Sequence, residues 1–305
     1  MANLKWFASL ALAVTVVSTL AAETRCPGNV ESLPLRLVNR YQIIVAVSVN
    51  HSGPYNFLLD TGAQITMLDP SLVAKLHLNT QGTILVVSVG NHASASYAQL
   101  DVMDVGSHSW VNPRVLEYDL KNLPVTGLDI QGVLGLDFLE QFDLLIDNRH
   151  SLLCLDDSGA MRSAMKGQHI PLVMAPQTAV GAALPNSLIV LARLSDGTRP
   201  VRLKLDSGTN ASFLYNTSQY MALGPFRSAP LFGGGNGSQR TFIALPPQHV
   251  EIGSLELPQV TFVTLAGVQK DSPTAEFDGL LPFGIFKKVF ISHVEHFAVL
   301  DPWLD

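Results

Sequence analysis

Short runs of alternating apolar and polar residues, separated by turn-forming residues, make up most of the chain. Runs of strand length occupy residues 41–49, 55–59, 83–89, 93–100, 188–194 and 201–205. A period of two places one face of a strand in a core and the other toward solvent. Residues 70–76 predict one short helix, and residues 132–139 lead into another. The pattern predicts an all-β fold with a few short helices.

The second half of this pattern repeats the first. Asp206 lies 146 positions after Asp60, and each follows an apolar run and precedes a hydroxyl residue and Gly. Four further landmarks recur in the same order with offsets of 145 to 147: Ile43 and Ile189, Gly90-Asn91 and Gly235-Asn236, Val105-Gly106-Ser107 and Ile252-Gly253-Ser254, Gly132-Val133-Leu134 and Gly279-Leu280-Leu281. The period is much longer than that of a solenoid unit, so it indicates a duplicated domain. We predict lobes at residues 23–157 and 188–305, joined by a connecting segment at 158–187.

Two aspartates at equivalent turns suggest one shared reaction centre. Carboxylates that face each other across a pseudo-twofold axis cannot both ionise easily, so the pair holds one proton. The ionised member can take a proton from a bound water while the protonated member donates to a carbonyl oxygen. Such a pair hydrolyses an amide without a covalent intermediate.

The motifs Asp60-Thr61-Gly62 and Asp206-Ser207-Gly208, each with a later Gly-apolar-apolar segment, resemble those of aspartic peptidases of the pepsin and retropepsin superfamily. The resemblance covers nearly all of the chain after about residue 33. It implies a bilobal pepsin-like fold, with two pseudo-symmetric antiparallel β lobes and a substrate cleft between them.

The resemblance also implies roles for individual residues. Asp60 and Asp206 would be the catalytic pair, and the hydroxyls of Thr61 and Ser207 would cross-link the two loops. The backbones of Gly62 and Gly208 would lie beside the substrate. A hairpin tip at Gly90, Asn91 and His92 would close over it as a flap. The expected activity is that of an endopeptidase acting on an extended peptide, and the alternative is a pepsin-fold binding or inhibitor protein without turnover.

Three positions depart from the pepsin pattern. The position three residues after each aspartate is Ala63 in the first loop and Thr209 in the second. Because a donor stabilises an ionised carboxylate, we expect Thr209 to favour ionised Asp206. The segment that supports the first loop reads Val133-Leu134-Gly135, whereas its second copy reads Leu280-Leu281-Pro282. Pro lacks a backbone donor, which predicts a looser or differently bonded second loop. The predicted flap tip also contains no Tyr.

Composition and charge indicate which classes of molecule the protein binds. The formal net charge is −6 and Lys and Arg are not clustered, so nucleic acid is not an expected partner. The expected partner is a peptide or protein substrate, and the chain should be a monomer because both loops belong to it. The histidines show no metal-ligand motif beyond the weak spacing of His293 and His296, and neither a metal nor an organic cofactor is expected.

The N-terminal residues resemble an export signal. Lys5 precedes an apolar run at residues 6–20, and small residues follow it. We predict a signal peptide at residues 1–22, a secreted or periplasmic location and no stable membrane span after cleavage, with an uncleaved anchor as the alternative. In an exported protein Cys26 and Cys154 could form a disulfide or remain two buried thiols.

Overall fold

A computed structural model describes residues 25–88, 91–121, 123, 127–173, 184–195, 199–215, 227–229, 242–265 and 276–303. The predicted signal peptide at residues 1–22 lies outside these ranges. None of the helices within them is long and apolar enough to cross a bilayer.

The first half of the chain is built mainly from strands. In chain order they are β1 (Leu33–Pro34), β2 (Arg36–Val38), β3 (Gln42–Val49), β4 (Ser52–Leu59), β5 (Met67–Leu68), β6 (Thr80–Ser88), β7 (Asn91–Gln99), β8 (Val102–Val105), β9 (His108–Val111), β10 (Arg114–Glu117), β11 (Gly132–Leu134), β12 (Asp143–Asp147) and β13 (Leu152–Asp156). The helices of this half are a 3₁₀ turn (Pro27–Asn29), α1 (Pro70–Lys75) and α2 (Leu136–Leu139).

The rest of the chain is also built mainly from strands. Its helices are α3 (Ala160–Ala164) and a 3₁₀ turn (Phe283–Ile285). Its strands are β14 (Ile170–Pro171), β15 (Ile189–Leu194), β16 (Val201–Asp206), β17 (Ser212–Leu214), β18 (Arg227–Ala229), β19 (Phe242–Ala244), β20 (Gln248–Ile252), β21 (Leu255–Val260), β22 (Phe262–Leu265), β23 (Gly279–Pro282), β24 (Phe286–Ser292) and β25 (Phe297–Pro302).

Each half forms one large sheet, and the two sheets have the same topology. The first has the order β6-β7-β10-β5-β11-β4-β3-β8-β9, with β2 beside β3. The second has the order β18-β19-β22-β17-β23-β16-β15-β20-β21. The parallel pairs fall at equivalent places, β5 with β10 and β4 with β11 in one sheet, β17 with β22 and β16 with β23 in the other. The duplication seen in the sequence is therefore a duplication of the whole strand order.

A third sheet joins the two halves. Its order is β1-β13-β12-β24-β25-β14, so strands of the first half pair with strands of the second through β12 and β24. Buried side chains from both halves also form one continuous hydrophobic cluster, which includes Phe57, Leu134, Leu205 and Phe286. The predicted all-β, bilobal fold is confirmed.

Local chemistry accounts for the start of α1. The side chain of Asp69 accepts a hydrogen bond from the backbone N–H of Ser71 at 2.9 Å, and Pro70 occupies the first turn. An Asp at the cap followed by Pro is a favoured helix start, since Pro lacks the N–H that would be unsatisfied there. The helix predicted at residues 70–76 is present as Pro70–Lys75.

The first hairpin has a tighter turn than the sequence suggests. The predicted turn covers residues 50–54, whereas β4 already begins at Ser52. Asn50 and His51 both have left-handed backbone angles, with φ of 49° and 61°. Two consecutive residues with positive φ are typical of a two-residue hairpin turn, which leaves the following residues free to pair.

Cys26 and Cys154 form a disulfide with a Cα–Cα distance of 5.8 Å. Both residues are buried, in a cluster with Met161 and Phe290. The bond ties the N-terminal segment to β13 in the sheet that joins the halves.

Candidate active site

Asp60 and Asp206 lie at equivalent ends of two central strands. Asp60 follows the last residue of β4, and Asp206 is the last residue of β16. Each strand is paired in parallel with the Gly-apolar-apolar strand of its own half, β11 or β23. These buried strands bring both loops to the same part of the molecule.

Each carboxylate is held by the backbone of its own loop. Asp60 Oδ1 accepts hydrogen bonds from the N–H groups of Gly62 at 2.7 Å and Ala63 at 3.2 Å. Asp206 Oδ1 accepts from the N–H groups of Gly208 at 2.9 Å and Thr209 at 3.1 Å. One oxygen of each carboxylate is therefore fixed in the same way in both halves.

Thr61 and Ser207 link the two loops to each other. Thr61 Oγ1 donates to the carbonyl of Leu205 at 3.0 Å and accepts from the N–H of Ser207 at 3.0 Å. Ser207 Oγ donates to the carbonyl of Leu59 at 2.8 Å and accepts from the N–H of Thr61 at 2.9 Å. Both hydroxyl residues are fully buried. The four bonds form a closed, nearly symmetric network between the halves.

The glycines allow the two loops to approach closely. A Cβ atom on Gly62 would overlap the carboxyl of Asp206, and a Cβ on Gly208 would overlap the carboxyl of Asp60. Each carboxyl thus packs against the glycine of the opposite loop. This close approach is the structural reason for Gly at both positions.

The surroundings of the pair favour a proton on it. Burial raises the pKa of Asp60 to about 7, and the charge of Asp206 acts in the same direction. Lys204, together with the N–H groups of Gly62 and Ala63, lowers the pKa of Asp60 and partly opposes these effects. Near neutral pH Asp60 can therefore keep a proton.

Lys204 and Tyr215 were not identified from the sequence as part of this region. Lys204 Nζ donates to the carbonyl of Gly62 at 2.6 Å. Burial, and then the charge of Asp206, raises the pKa of the Tyr215 phenol. A lysine within the apolar run before Asp206 was a usable signal for Lys204, because charged residues are rarely placed on buried strands without a partner. Tyr215 gave no comparable signal.

The hydroxyl of Thr209 does not bond Asp206, contrary to the expectation from the sequence. Its hydroxyl donates to the carbonyl of Ala211 at 3.1 Å, and the backbone N–H is the group that donates to Asp206. Ala63 makes the equivalent backbone bond to Asp60. The difference between Ala63 and Thr209 therefore supplies no extra donor to either carboxylate.

The segments that support the loops are bonded differently in the two halves. In the first half, the N–H of Gly135 donates to Thr66 Oγ1 at 3.0 Å, and Thr66 Oγ1 donates to Asp137 at 2.6 Å. Pro282 occupies the equivalent position in the second half and has no N–H to donate. There, Asn148 Nδ2 donates to the carbonyls of Phe283 and Phe286, at 3.1 and 3.0 Å. The second support segment is thus held by a side chain from the first half.

The predicted flap tip lies at the edge of the described residues. Gly90 is outside them, and Asn91 and His92 open β7, where they pair with Ser88 and Val87 of β6. Their counterparts in the second half, Gly235 and Asn236, are also outside the described residues. The role of these residues as a flap stays a prediction.

His293 and His296 lie in a separate small cavity. With Glu140 they line a space of about 70 Å³. Burial, followed by the nearby His296, lowers the pKa of His293 to about 4, so this imidazole is neutral at ordinary pH. Across the described part of the chain, no group of three or more His, Cys, Asp or Glu residues could hold a metal ion.

Comparisons with known proteins agree with the sequence motifs. Residues 45–138 match the family model described as aspartyl protease. A retropepsin-like aspartic protease from Rickettsia conorii is 23% identical, with a TM-score of 0.31, over 41% of this chain and 90% of its own. Among curated proteins, no match to this chain is found. The family model confirms a resemblance to aspartyl proteases over residues 45–138, which lie in the first half of the chain around Asp60.

Proposed function

We propose that this protein is an aspartic endopeptidase in which Asp60 and Asp206 activate a water molecule to hydrolyse peptide bonds. The observation that carries the proposal is the pair of cross-linked loops. Each loop presents one carboxyl against the glycine of the other, and the hydroxyls of Thr61 and Ser207 close the network between them.

The reaction follows from one proton shared by two acids. With one carboxyl ionised and the other protonated, the carboxylate removes a proton from water as its oxygen attacks the peptide carbonyl carbon. The protonated carboxyl donates to the carbonyl oxygen, which gives a tetrahedral diol. As the diol collapses and the C–N bond breaks, the protonated carboxyl gives its proton to the amine nitrogen. The other carboxylate takes a hydroxyl proton from the diol, so the pair is singly protonated again.

The pKa of Asp60 near 7 suits this role. A carboxyl with an ordinary pKa would be ionised at neutral pH and could not act as an acid. We therefore expect activity to fall as the pH rises through about 7, because the pair then loses the proton that the carbonyl oxygen must receive.

The substrate that we propose is a peptide or an unfolded protein segment in an extended conformation. We further propose that the protein acts as a monomer, because both loops are contributed by one chain. We also propose an exported location, either secreted or periplasmic. The Cys26–Cys154 disulfide supports it, since such bonds persist in oxidising compartments.

The test compares wild type with Asp60→Asn and Asp206→Asn on a denatured protein and a fluorogenic peptide set. Asn keeps the size of the side chain and cannot exchange the proton. We expect either variant to reduce the rate by about 10²- to 10⁴-fold. Asp101→Asn is the matched control, because Asp101 is exposed and outside both loops, and its rate should equal that of wild type.

Equal cleavage by wild type and both loop variants would refute the proposal. Tight binding of the unfolded protein by wild type without cleavage between pH 3 and 8 would instead identify a binding protein that keeps the fold without turnover.

A further inference from the structure

A buried lysine reaches from the second half of the molecule to the first catalytic loop. Lys204 lies on β16, two residues before Asp206, so both side chains leave the strand on the same face. Only 6% of Lys204 is exposed. Its ammonium donates to the carbonyl of Gly62 at 2.6 Å, across the boundary between the two loops.

This lysine breaks the twofold symmetry of the site. The repeat places Leu58 of β4 at the position equivalent to Lys204. Leu58 is also buried, but it packs among apolar residues that include Ile44 and Val133. Leucine has no donor and no charge, so its side chain gives the carbonyl of Gly208 no hydrogen bond and no neighbouring positive charge. The two loops therefore have similar hydrogen bonds and a different electrostatic environment.

A buried ammonium needs negative charge nearby, because its transfer from water to the protein interior is costly. Around Lys204 the described groups are the carbonyl of Gly62 and the ring of Phe277, whose centroid is 5.3 Å from Nζ. Within the described ranges, no carboxylate oxygen lies within 4.0 Å of this nitrogen to form a direct ion pair. The carbonyl and the ring carry only partial charges, so a full opposite charge must come from farther away.

The remaining charged groups of the region identify that opposite charge. Arg202, on the same face of β16, pairs with Asp278 at 3.0 Å, so these two neutralise each other. Tyr215 packs against Phe277 and is uncharged at ordinary pH, since its pKa is raised. Of the described carboxyl groups, Asp60 is one on which the charge of Lys204 acts, and Asp206 lies two residues after Lys204 on the same face of β16. A singly protonated aspartate pair carries one negative charge, and Lys204 carries one positive charge.

We propose that Lys204 is a positioning residue of the aspartate pair, which holds the Gly62 carbonyl and balances the single negative charge of the Asp60–Asp206 pair. This inference rests on the proposed peptidase function. A positive charge at this place makes ionisation easier, so it lowers the pKa of Asp60. Its consequence is that the singly ionised state forms at lower pH than it would between two apolar strands.

The test measures pH profiles of kcat/KM for wild type and three variants of Lys204. In Lys204→Met the charge and the hydrogen bond are lost. The acidic limb and the basic limb of the pH profile should then both move to higher pH by about 1 unit. In Lys204→Gln a donor remains without the charge, and the same shift is expected. In Lys204→Arg the charge remains, and the limbs should return toward those of wild type. Leu58→Met, at the equivalent position of the first half, should leave both limbs in place.

A second measurement does not depend on turnover. Carboxyl ¹³C signals of aspartate-labelled protein give the two apparent pKa values of the pair directly, in wild type and in Lys204→Gln. Higher values in the variant support the inference. Values equal to those of wild type overturn it, as does a pH profile of Lys204→Met that coincides with that of wild type.

The two proposals can fail separately. Loss of cleavage in Asp60→Asn together with unchanged limbs in the Lys204 variants would leave the peptidase function intact and remove the role of Lys204. Absence of Asp-dependent cleavage in wild type would remove the peptidase function, and the carboxyl titration would still decide whether Lys204 sets the ionisation of the pair.

Discussion

At the scale of single residues, the two hydroxyls between the loops have the largest structural role. Thr61 and Ser207 are fully buried, and each both donates and accepts across the boundary between the halves. Their four bonds hold the two carboxyl-bearing turns at a fixed separation. A shift of about 1 Å in such a site can cost roughly 10²-fold in rate, so this network should matter to activity as well as to stability.

Replacement of Thr61 tests this role. In Thr61→Ala the N–H of Ser207 loses its acceptor and the carbonyl of Leu205 loses its donor. We expect a loss of about 1–3 kcal/mol in the free energy of unfolding, since buried polar groups without partners are costly. Urea titration measures this change, and a peptide assay measures the accompanying fall in kcat/KM.

Thr61→Ser is the matched control for this substitution. Serine keeps the hydroxyl and loses only a methyl group, so it should retain most of the activity of wild type. A Thr61→Ser variant as impaired as Thr61→Ala would show that packing of the methyl group, and not the hydrogen-bond network, is what matters.

At the scale of elements, strands that follow each other in the sequence could be predicted, and the contacts that tie distant elements together could not. The alternating pattern of residues 41–49 is present as β3, and residues 201–205 lie within β16. The disulfide is different, because Cys26 precedes the first strand and Cys154 lies on β13, 128 residues later. A sequence with two cysteines allows a bond or two thiols, and only the three-dimensional proximity of the two elements decides between them.

The length of the loop that this disulfide closes predicts a large effect on stability. By the chain-entropy estimate, a loop of 128 residues contributes about 4–5 kcal/mol to the free energy of unfolding. We expect Cys26→Ala/Cys154→Ala to lower the urea midpoint by a corresponding amount. Wild type treated with a reductant is the matched control and should show the same shift. A midpoint that is unchanged in both would show that the bond contributes nothing to the folded state.

At the scale of the whole molecule, the sheet that joins the halves contains a buried ionic contact. Asp143 on β12 is fully buried and accepts hydrogen bonds from Arg162 Nε at 2.8 Å and from Ser292 Oγ at 2.9 Å. Ser292 is the last residue of β24, so the carboxylate connects both halves with α3. Arg162 also contacts the exposed Glu295 at 3.1 Å.

The two partners of Arg162 give a matched comparison. Arg162→Met leaves the carboxylate of Asp143 buried without its cation, and we expect a loss of about 3 kcal/mol in the free energy of unfolding. Glu295→Gln removes only an exposed partner of the same arginine and should cost less than about 1 kcal/mol. Chemical denaturation of both variants measures the difference. Equal effects would mean that burial of Asp143 does not determine the strength of the contact.

Much of the candidate site could be predicted because it is repeated. Asp60 and Asp206 stand out through the offset of 146 residues, and the superfamily resemblance supplied a role for Thr61 and Ser207. The side-chain bonding of Thr209 could not be predicted in this way. Its hydroxyl donates to the carbonyl of Ala211, and the local backbone group that a Thr hydroxyl bonds depends on the rotamer that the folded loop allows.

The sequence by itself determined the all-β class, the duplication and the two loops, because strand periodicity and turn chemistry are local properties that the chain shows twice. Only the tertiary structure decided that β12 and β24 unite the halves, that Cys26 meets Cys154, and that Lys204 lies against the Gly62 carbonyl. These contacts join residues more than one hundred positions apart. Their formation depends on how the two sheets pack, and no local pattern of hydrophobic and polar residues encodes that packing.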